Sequence, residues 1–130
     1  MAHPNEELVR KGYQAFSEGD MDTLRSLFAP DAVHSATGNS PVSGDKNGVD
    51  NILAYYGELF ERSGGTFNVE LKTVTVQGDD TVVTTHRDNG QREGKTLDQD
   101  EDLTFTISDG KITRVVEDHS DQAAYDAFWA

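Results

Sequence analysis

The chain of 130 residues contains no cysteine, few basic residues and no long apolar run. Without cysteine it can form neither a disulfide framework nor a thiolate metal site, and it has no cysteine nucleophile. No segment approaches the roughly eighteen apolar residues of a membrane span, and the first residues lack the apolar core of a signal peptide. We therefore expect a cytoplasmic protein without membrane contact, built as one domain over residues 1–130.

Acidic residues dominate the charge. Asp and Glu number 24 against 11 Lys and Arg, which gives a formal net charge of -13. Such a surface repels phosphate backbones and anionic lipids, so we expect no nucleic-acid or membrane partner. Two interpretations of the charge stay open: a surface that only keeps the protein soluble, and adaptation to a salty cytoplasm in which counter-ions screen the repulsion.

The clearest strand pattern lies in residues 97–118. Every second residue from Leu103 to Ile107 is apolar, which is typical of a strand with one buried face. The Asp109-Gly110 pair then predicts a tight turn, because both residues tolerate positive φ, and Ile112 begins the returning strand. A hairpin this long predicts a sheet that other elements must cover.

Helical spacing of apolar residues predicts four helices. Asn5 and Asp20 are the expected N-caps of the first two, and Pro30 prevents continuation of the second. The third carries a full apolar stripe from Val49 to Phe60, with Asn47 as its expected cap. A last short helix is predicted within residues 121–130.

The remaining segments are predicted as short strands and loops. A switch of apolar parity between Leu71 and Val74 predicts a β-bulge near Lys72. The other assignments, in chain order, are a strand at Ala32–Ala36, a loop at Thr37–Asn47, a strand from Thr66, a strand at Thr81–Arg87 and a loop beginning at Asp88–Gly90.

Helices followed by consecutive strands with short connections predict an α+β domain. The strongly twisted, mixed or antiparallel sheet is expected to curve around the N-terminal helices as a cone, with a central ligand pocket at its open end.

Five segments carry a resemblance to a known family: "AFSEGDMDTLRSLFAPDAV", "GNSPVSG", "SGGTFNVEL", "ISDGKITRVVE" and "DQAAYDAFW". Together they resemble the SnoaL-like branch of the nuclear transport factor 2 and ketosteroid isomerase superfamily, from about Glu7 to Trp129. The resemblance implies a curved sheet, a deep apolar pocket and a homodimer packed through the outer face of the sheet. It does not choose an activity, because the superfamily includes isomerases, cyclases, epoxide hydrolases, dehydratases and non-catalytic domains.

The residues that ketosteroid isomerases use are missing. Their helix 1 tyrosine position falls on Gly12, and their base position falls on Ser35 or Ala36, neither of which is a base at neutral pH. In the late strand the parity of Phe105 selects Leu103 or Glu101 as the acid position. The resemblance therefore does not extend to steroid isomerisation.

His34 and Glu101 are the candidate catalytic residues. His34 shares the strand face that would carry the isomerase base, where it would serve as a general base or as a structural histidine bonded to a backbone carbonyl. Glu101 shares the face of Leu103 and Phe105, where a carboxyl group must be paired or protonated. Its structural alternative is an internal salt bridge to Arg87 or Arg114.

Five further residues are candidates for substrate binding. We expect Tyr13, Tyr56, Leu103 and Phe105 to line the pocket, and we include His86 although solvent exposure is its simpler interpretation. Glu117 and His119 share one parity in the last strand. Because the sequence contains no HxH or HExxH spacing, phosphate loop or dinucleotide fingerprint, we predict no metal and no cofactor.

The function predicted from the sequence is a small-molecule pocket protein. Its ligand is expected to be apolar with one or two oxygens, and its chemistry a cofactor-independent isomerisation, cyclisation or elimination by proton transfer. The alternatives are a non-catalytic ligand-binding or stress-associated domain and an epoxide hydrolase-like enzyme, which an Asp-Arg-Asp set would indicate.

Overall fold

A computed structural model describes residues 3–130. It shows the predicted α+β cone: one six-stranded, mixed sheet curves around helices that cover its inner face. The elements are α1 (Pro4–Glu18), α2 (Met21–Leu27), β1 (Phe28–Ala36), β2 (Gly44–Asn47), α3 (Val49–Arg62), β3 (Asn68–Gln77), β4 (Thr81–Arg92), β5 (Lys95–Ser108), β6 (Lys111–His119) and α4 (Gln122–Trp129).

The sheet has the strand order β2-β1-β6-β5-β4-β3. Strands β3 to β6 form a consecutive antiparallel meander, and β1 pairs with β6 in parallel. This parallel pairing brings the beginning of the chain beside its last strand. It thereby places residues from β1, β4, β5 and β6 on one curved inner face.

Local capping explains the first two helices. His3 caps α1 by accepting a hydrogen bond from the Asn5 backbone N–H, so the predicted cap at Asn5 is wrong by two residues. Gly19 ends α1 at φ 69°, in the left-handed region that favours glycine. The prediction at Asp20 is confirmed, because its side chain accepts from the Thr23 backbone N–H at 3.1 Å.

The segment between β1 and α3 differs from the sequence prediction. β1 begins at Phe28, four residues earlier than predicted, and the predicted loop ends in the short strand β2. β2 pairs with Val33–Ala36 but shows no apolar alternation, since it is a polar edge strand. Asn47 is its last residue, so the helix N-cap is Gly48 and not Asn47.

The bulge predicted near Lys72 is confirmed by a register shift between Leu71 and Thr73. The predicted end of β4 is wrong, because the strand continues through Asp88–Gly90 to Arg92. Pairing with both neighbours overrides the turn-like composition of this segment. At Gly90 an added Cβ would lie 3.2 Å from the Phe67 Cα, so a larger residue would require the Phe67 backbone to shift by a few tenths of an ångström.

The central hairpin of β5 and β6 turns as predicted at Asp109 and Gly110, with φ values of 52° and 73°. The apolar core lies between the inner sheet face and the helices, and α4 adds Trp129, which is fully buried beside Phe67. Within residues 3–130 no helix is both long and apolar enough to span a membrane.

Candidate functional site

A row of polar side chains crosses three neighbouring strands on the inner sheet face. His86 of β4 lies opposite Glu101 of β5, and Glu101 lies opposite His119 of β6. The two-residue period of the strands adds Asp88 beside His86 and Glu117 beside His119 on the same face. All five side chains are buried. The sheet therefore gathers three carboxyl groups and two imidazoles at one place.

The inner face and the helices enclose a cavity of about 80 Å³. All seven candidate residues from the sequence line it, so His34 and Glu101 share one cavity. The lining also includes side chains that were not predicted as site residues. The principal ones are Val9, Phe16, Phe28, Tyr55, Leu59, Phe67, Asp88, Ile112, Glu117 and Tyr125.

His34 contacts two side chains, whereas its structural interpretation required a backbone carbonyl. Its Nε2 lies 2.6 Å from Glu117 Oε2, and its Nδ1 lies 2.9 Å from the Tyr56 hydroxyl. Glu117 also accepts from the Tyr55 hydroxyl at 2.7 Å and from His119 Nε2 at 2.9 Å. Burial alone would raise the pKa of Glu117, but these hydrogen bonds and the nearby imidazoles lower it to about 2. Glu117 is therefore an ionised carboxylate that orients His34.

Glu101 does not form the salt bridge with Arg87 or Arg114 that was its structural alternative. Both arginines lie on the outer face, where Arg87 donates to Asp98 at 2.6 Å and Arg114 donates to Ser35. The Glu101 oxygens instead lie 3.1 Å from His86 Nε2 and 3.4 Å from His119 Nε2. Burial, followed by the charges of Glu117 and Asp88, raises the pKa of Glu101 well above its usual range.

The expected solvent exposure of His86 is wrong, because the residue is only 3% exposed. Its Nδ1 lies 2.6 Å from the Tyr13 hydroxyl, which is 2.7 Å from the Thr84 hydroxyl. Its Nε2 lies 2.9 Å from Asp88 Oδ1. Sequence reasoning missed Asp88 because it assigned that residue to a loop, although the alternation of Val82, Thr84 and His86 extends to it.

The tyrosines act as hydrogen-bonding walls of the cavity. The Tyr13 hydroxyl forms a hydrogen bond with His86, and the Tyr56 hydroxyl forms one with His34. Tyr55, which the sequence analysis did not identify, is a third tyrosine of this kind and donates to Glu117. Burial raises the pKa of all three phenols above the usual range, so they are neutral at physiological pH. Gly12, the isomerase tyrosine position, also lines the cavity but offers no hydroxyl.

Two atoms in the polar row have no hydrogen-bond partner. Asp88 Oδ2 and His119 Nδ1 are both buried and unpaired, and they lie 3.8 Å apart. The far side of the His119 ring stacks on Tyr125, with ring centroids 3.7 Å apart. The ring is therefore held in place with an unsatisfied nitrogen directed towards a carboxylate oxygen.

The buried His, Asp and Glu side chains of the polar row could hold a metal ion. The sequence analysis predicted none, because it found no HxH or HExxH spacing. Ligand atoms of His86, Asp88 and Glu101 lie within 4.8 Å of one another, and so do those of Glu101, Glu117 and His119. The expectation from linear spacing failed to consider cross-strand neighbours, which bring together residues far apart in sequence.

Comparison with known proteins gives consistent matches. The model of the SnoaL-like domain family matches residues 9–115. The protein Rv0034 of Mycobacterium tuberculosis strain H37Rv, which is described as uncharacterised, is 38% identical over 124 residues, covering 95% of both chains.

Two solved structures show the same fold. Bal32a, from a soil-derived mobile gene cassette, has a TM-score of 0.95 at 37% identity, covering 98% of this chain and 97% of that one. A putative SnoaL-like polyketide cyclase from Jannaschia sp. CCS1 has a TM-score of 0.80 at 23% identity, with coverage of 98% and 92%.

Proposed function

The chain belongs to the SnoaL-like domain family, and from this premise we propose that it binds a compact apolar molecule carrying one or two oxygens and catalyses proton transfer on it. The reaction class is isomerisation, cyclisation or elimination. The observation that carries this proposal is the His34–Glu117 pair on the cavity wall. The polyketide cyclase description of the Jannaschia neighbour is compatible with this class.

His34 is the proposed general base. With its Nε2–H donating to the ionised Glu117, the ring presents an unprotonated Nδ1 at the Tyr56 hydroxyl, 2.9 Å away. A carboxylate that fixes the tautomer and stabilises the imidazolium formed on proton uptake is a recurrent arrangement for histidine bases. A ligand that displaces the Tyr56 hydroxyl from Nδ1 would place its acidic C–H or O–H at this nitrogen.

Glu101 is the second residue that we assign to the chemistry, at the position that borders the oxygen of the ligand. It lines the same cavity as His34, together with Tyr13 and His86, whereas Leu103 and Phe105 supply apolar surface. No Lys or Arg is among the described lining residues, so the cavity does not suit phosphorylated compounds. Its volume of about 80 Å³ is far below the roughly 300–1,000 Å³ of a drug-sized pocket, which favours a compact ligand.

The polar lining supports proton transfer over the two alternatives. A purely binding domain would be served by an apolar cavity, whereas this one has two histidines and three carboxyl groups in its wall. An epoxide hydrolase-like site would need an arginine between two aspartates, and Arg87 and Arg114 face away from the cavity.

The test begins with a thermal-shift screen of small ketones, enones, phenols and epoxides, followed by turnover assays on the compounds that bind. His34→Gln should reduce kcat by about 10²-fold or more, because a general base contributes about 10²–10⁴. Ser35→Ala is the matched control, since Ser35 is the neighbouring residue on β1 and contacts Arg114 on the outer face.

Glutamine is the better replacement at His34. The sequence alone predicts that replacing His34 by Ala or Gln leaves the melting temperature nearly unchanged. The hydrogen bonds of His34 instead predict a loss of stability in both variants, and a larger one for alanine, which would leave the buried Glu117 and Tyr56 groups without a partner. An H34Q variant that retains wild-type kcat would show that His34 is structural.

A further inference from the structure

Four buried side chains lie next to one another on strands β4, β5 and β6 of the inner sheet face. We propose that His86, Asp88, Glu101 and His119 bind one divalent transition-metal ion of the Zn²⁺ type. The proposal does not depend on proton transfer at His34, which contacts none of the four.

The charge balance is the first argument for a cation. Three carboxyl groups are buried in the cavity wall: those of Asp88, Glu101 and Glu117, which are 0, 4 and 5% exposed. No Lys or Arg is among the described residues that line the same cavity. Buried carboxylates are costly unless they are paired, protonated or bound to metal. Of the three, only Glu117 has its own complete set of donors, from His34, Tyr55 and His119.

The unpaired atoms are the second argument. His119 Nε2 donates to Glu117 Oε1 at 2.9 Å, so in this tautomer His119 Nδ1 presents a lone pair. That lone pair faces Asp88 Oδ2 at 3.8 Å, and both atoms are buried without a hydrogen-bond partner. Two acceptors facing each other repel, whereas a cation between them would bind both.

The outer contacts of the two imidazoles are the third argument. Histidines that bind metal generally donate their other N–H to an oxygen, which fixes the ring and its tautomer. His119 has this contact with Glu117. His86 has it with the Tyr13 hydroxyl at 2.6 Å, which leaves Nε2 to face Asp88 Oδ1 at 2.9 Å and Glu101 Oε1 at 3.1 Å.

The spacing of the donor atoms fits a small ion. Metal–nitrogen and metal–oxygen bonds of about 2.0–2.2 Å place neighbouring ligand atoms about 3.3–3.6 Å apart in a tetrahedral site. Ligand atoms of His86, Asp88 and Glu101 lie within 4.8 Å of one another, and His119 Nδ1 lies 3.8 Å from Asp88 Oδ2. Coordination by all four side chains therefore requires them to draw closer together when the ion binds.

The mixed donor set selects the class of metal. Two imidazoles favour Zn²⁺ and its first-row neighbours, whereas Mg²⁺ and Ca²⁺ prefer all-oxygen shells. His86, Asp88 and Glu101 line the cavity. A further coordination position would therefore face the space in which we place the oxygen of the ligand.

Isothermal titration calorimetry tests the site without any substrate. Tag-free protein is stripped with a chelator, dialysed and titrated with Zn²⁺. We expect one ion per chain, with binding at least tenfold weaker in Asp88→Asn and His119→Gln. Asp102→Asn is the matched control, because Asp102 follows Glu101 on β5 but lies exposed on the outer face. H34Q should also retain Zn²⁺ binding, which separates this test from that of the proposed base.

A wild-type measurement covers the case in which the buried variants do not fold. Co²⁺ bound by two imidazoles and two carboxylates should give visible d–d absorption bands that one equivalent of Zn²⁺ abolishes and millimolar Mg²⁺ does not. The proposal is wrong if the stripped wild-type protein shows no saturable Zn²⁺ binding. It is equally wrong if folded D88N binds Zn²⁺ as tightly as the wild-type protein.

Discussion

The buried pair of His34 and Glu117 should contribute a measurable coupling energy to the stability of the fold. The changes are His34→Gln, Glu117→Gln and the double variant. Their side chains are 4 and 3% exposed and are joined by a 2.6 Å hydrogen bond, so neither group gains water when its partner is removed.

The expected magnitude follows from the hydrogen bonds that each change removes. Glu117 accepts three of them, and an amide in its place presents an N–H₂ group to at least one of the three donors. A hydrogen bond to a charged group contributes about 1.5–3 kcal/mol, and breaking a buried pair costs about 3–5 kcal/mol. We expect each single variant to lose about 3 kcal/mol. The double variant should lose less than the sum, with a coupling energy of about 2 kcal/mol.

Urea denaturation at pH 7 and fixed protein concentration measures all three free energies of unfolding. Asp118→Asn is the matched control, since Asp118 is the exposed neighbour of Glu117 on β6 and should change stability by less than about 0.5 kcal/mol. Strictly additive losses from the two single changes would refute the proposed mutual dependence of this pair.

Four further predictions concern the rest of the fold. Gly57→Ala should stabilise by about 0.5–1 kcal/mol, since Gly57 lies within α3 with no atom within 4 Å of an added Cβ. Gly90→Ala should destabilise the protein, because the added Cβ would lie 3.2 Å from the Phe67 Cα. If the urea midpoints of the Gly57→Ala and Gly90→Ala variants shift in the same direction, this reasoning is contradicted. Light scattering should report a homodimer of about twice 14.3 kDa, because Val83, Thr104 and Val116 leave the outer sheet face only partly polar, and a monomer would exclude this interface. If the charge of -13 reflects a saline host, the melting temperature should rise steadily from low to molar KCl, whereas a flat curve would leave solubility as its role.

The sequence predicts this fold well where one local pattern dominates. The stripe from Val49 to Phe60 specifies a helix, and the parity slip around Lys72 reveals the bulge, because period and parity report directly which side is buried. The segment Asp88–Gly90 shows the limit of such reasoning. Its composition is typical of a turn, but pairing with β3 and β5 makes it part of a strand.

The candidate site was predicted residue by residue but not as a network. Parity with Leu103 and Phe105 placed Glu101 on the inner face, and the resemblance to ketosteroid isomerases, combined with parity, placed His34 there. Their partners depend on register across the sheet: His119 meets Glu101 because β5 and β6 pair at that residue, and no single-strand pattern contains this information. The alternative of a salt bridge between Glu101 and an arginine failed for the same reason, since the partner of Glu101 is determined by the pairing between strands.

The parallel pairing of β1 with β6 also has a consequence for folding during synthesis. His34 pairs with Glu117, which lies 83 residues further along the chain. The cavity wall therefore cannot be completed until β6 has left the ribosome. The meander from β3 to β6 can form from neighbouring segments, whereas β1 and β2 must dock onto it by closing a long loop, which is the slower kind of event. We expect the nascent chain to expose the imidazole of His34 until that docking occurs, and the site to be among the last parts of the protein to assemble.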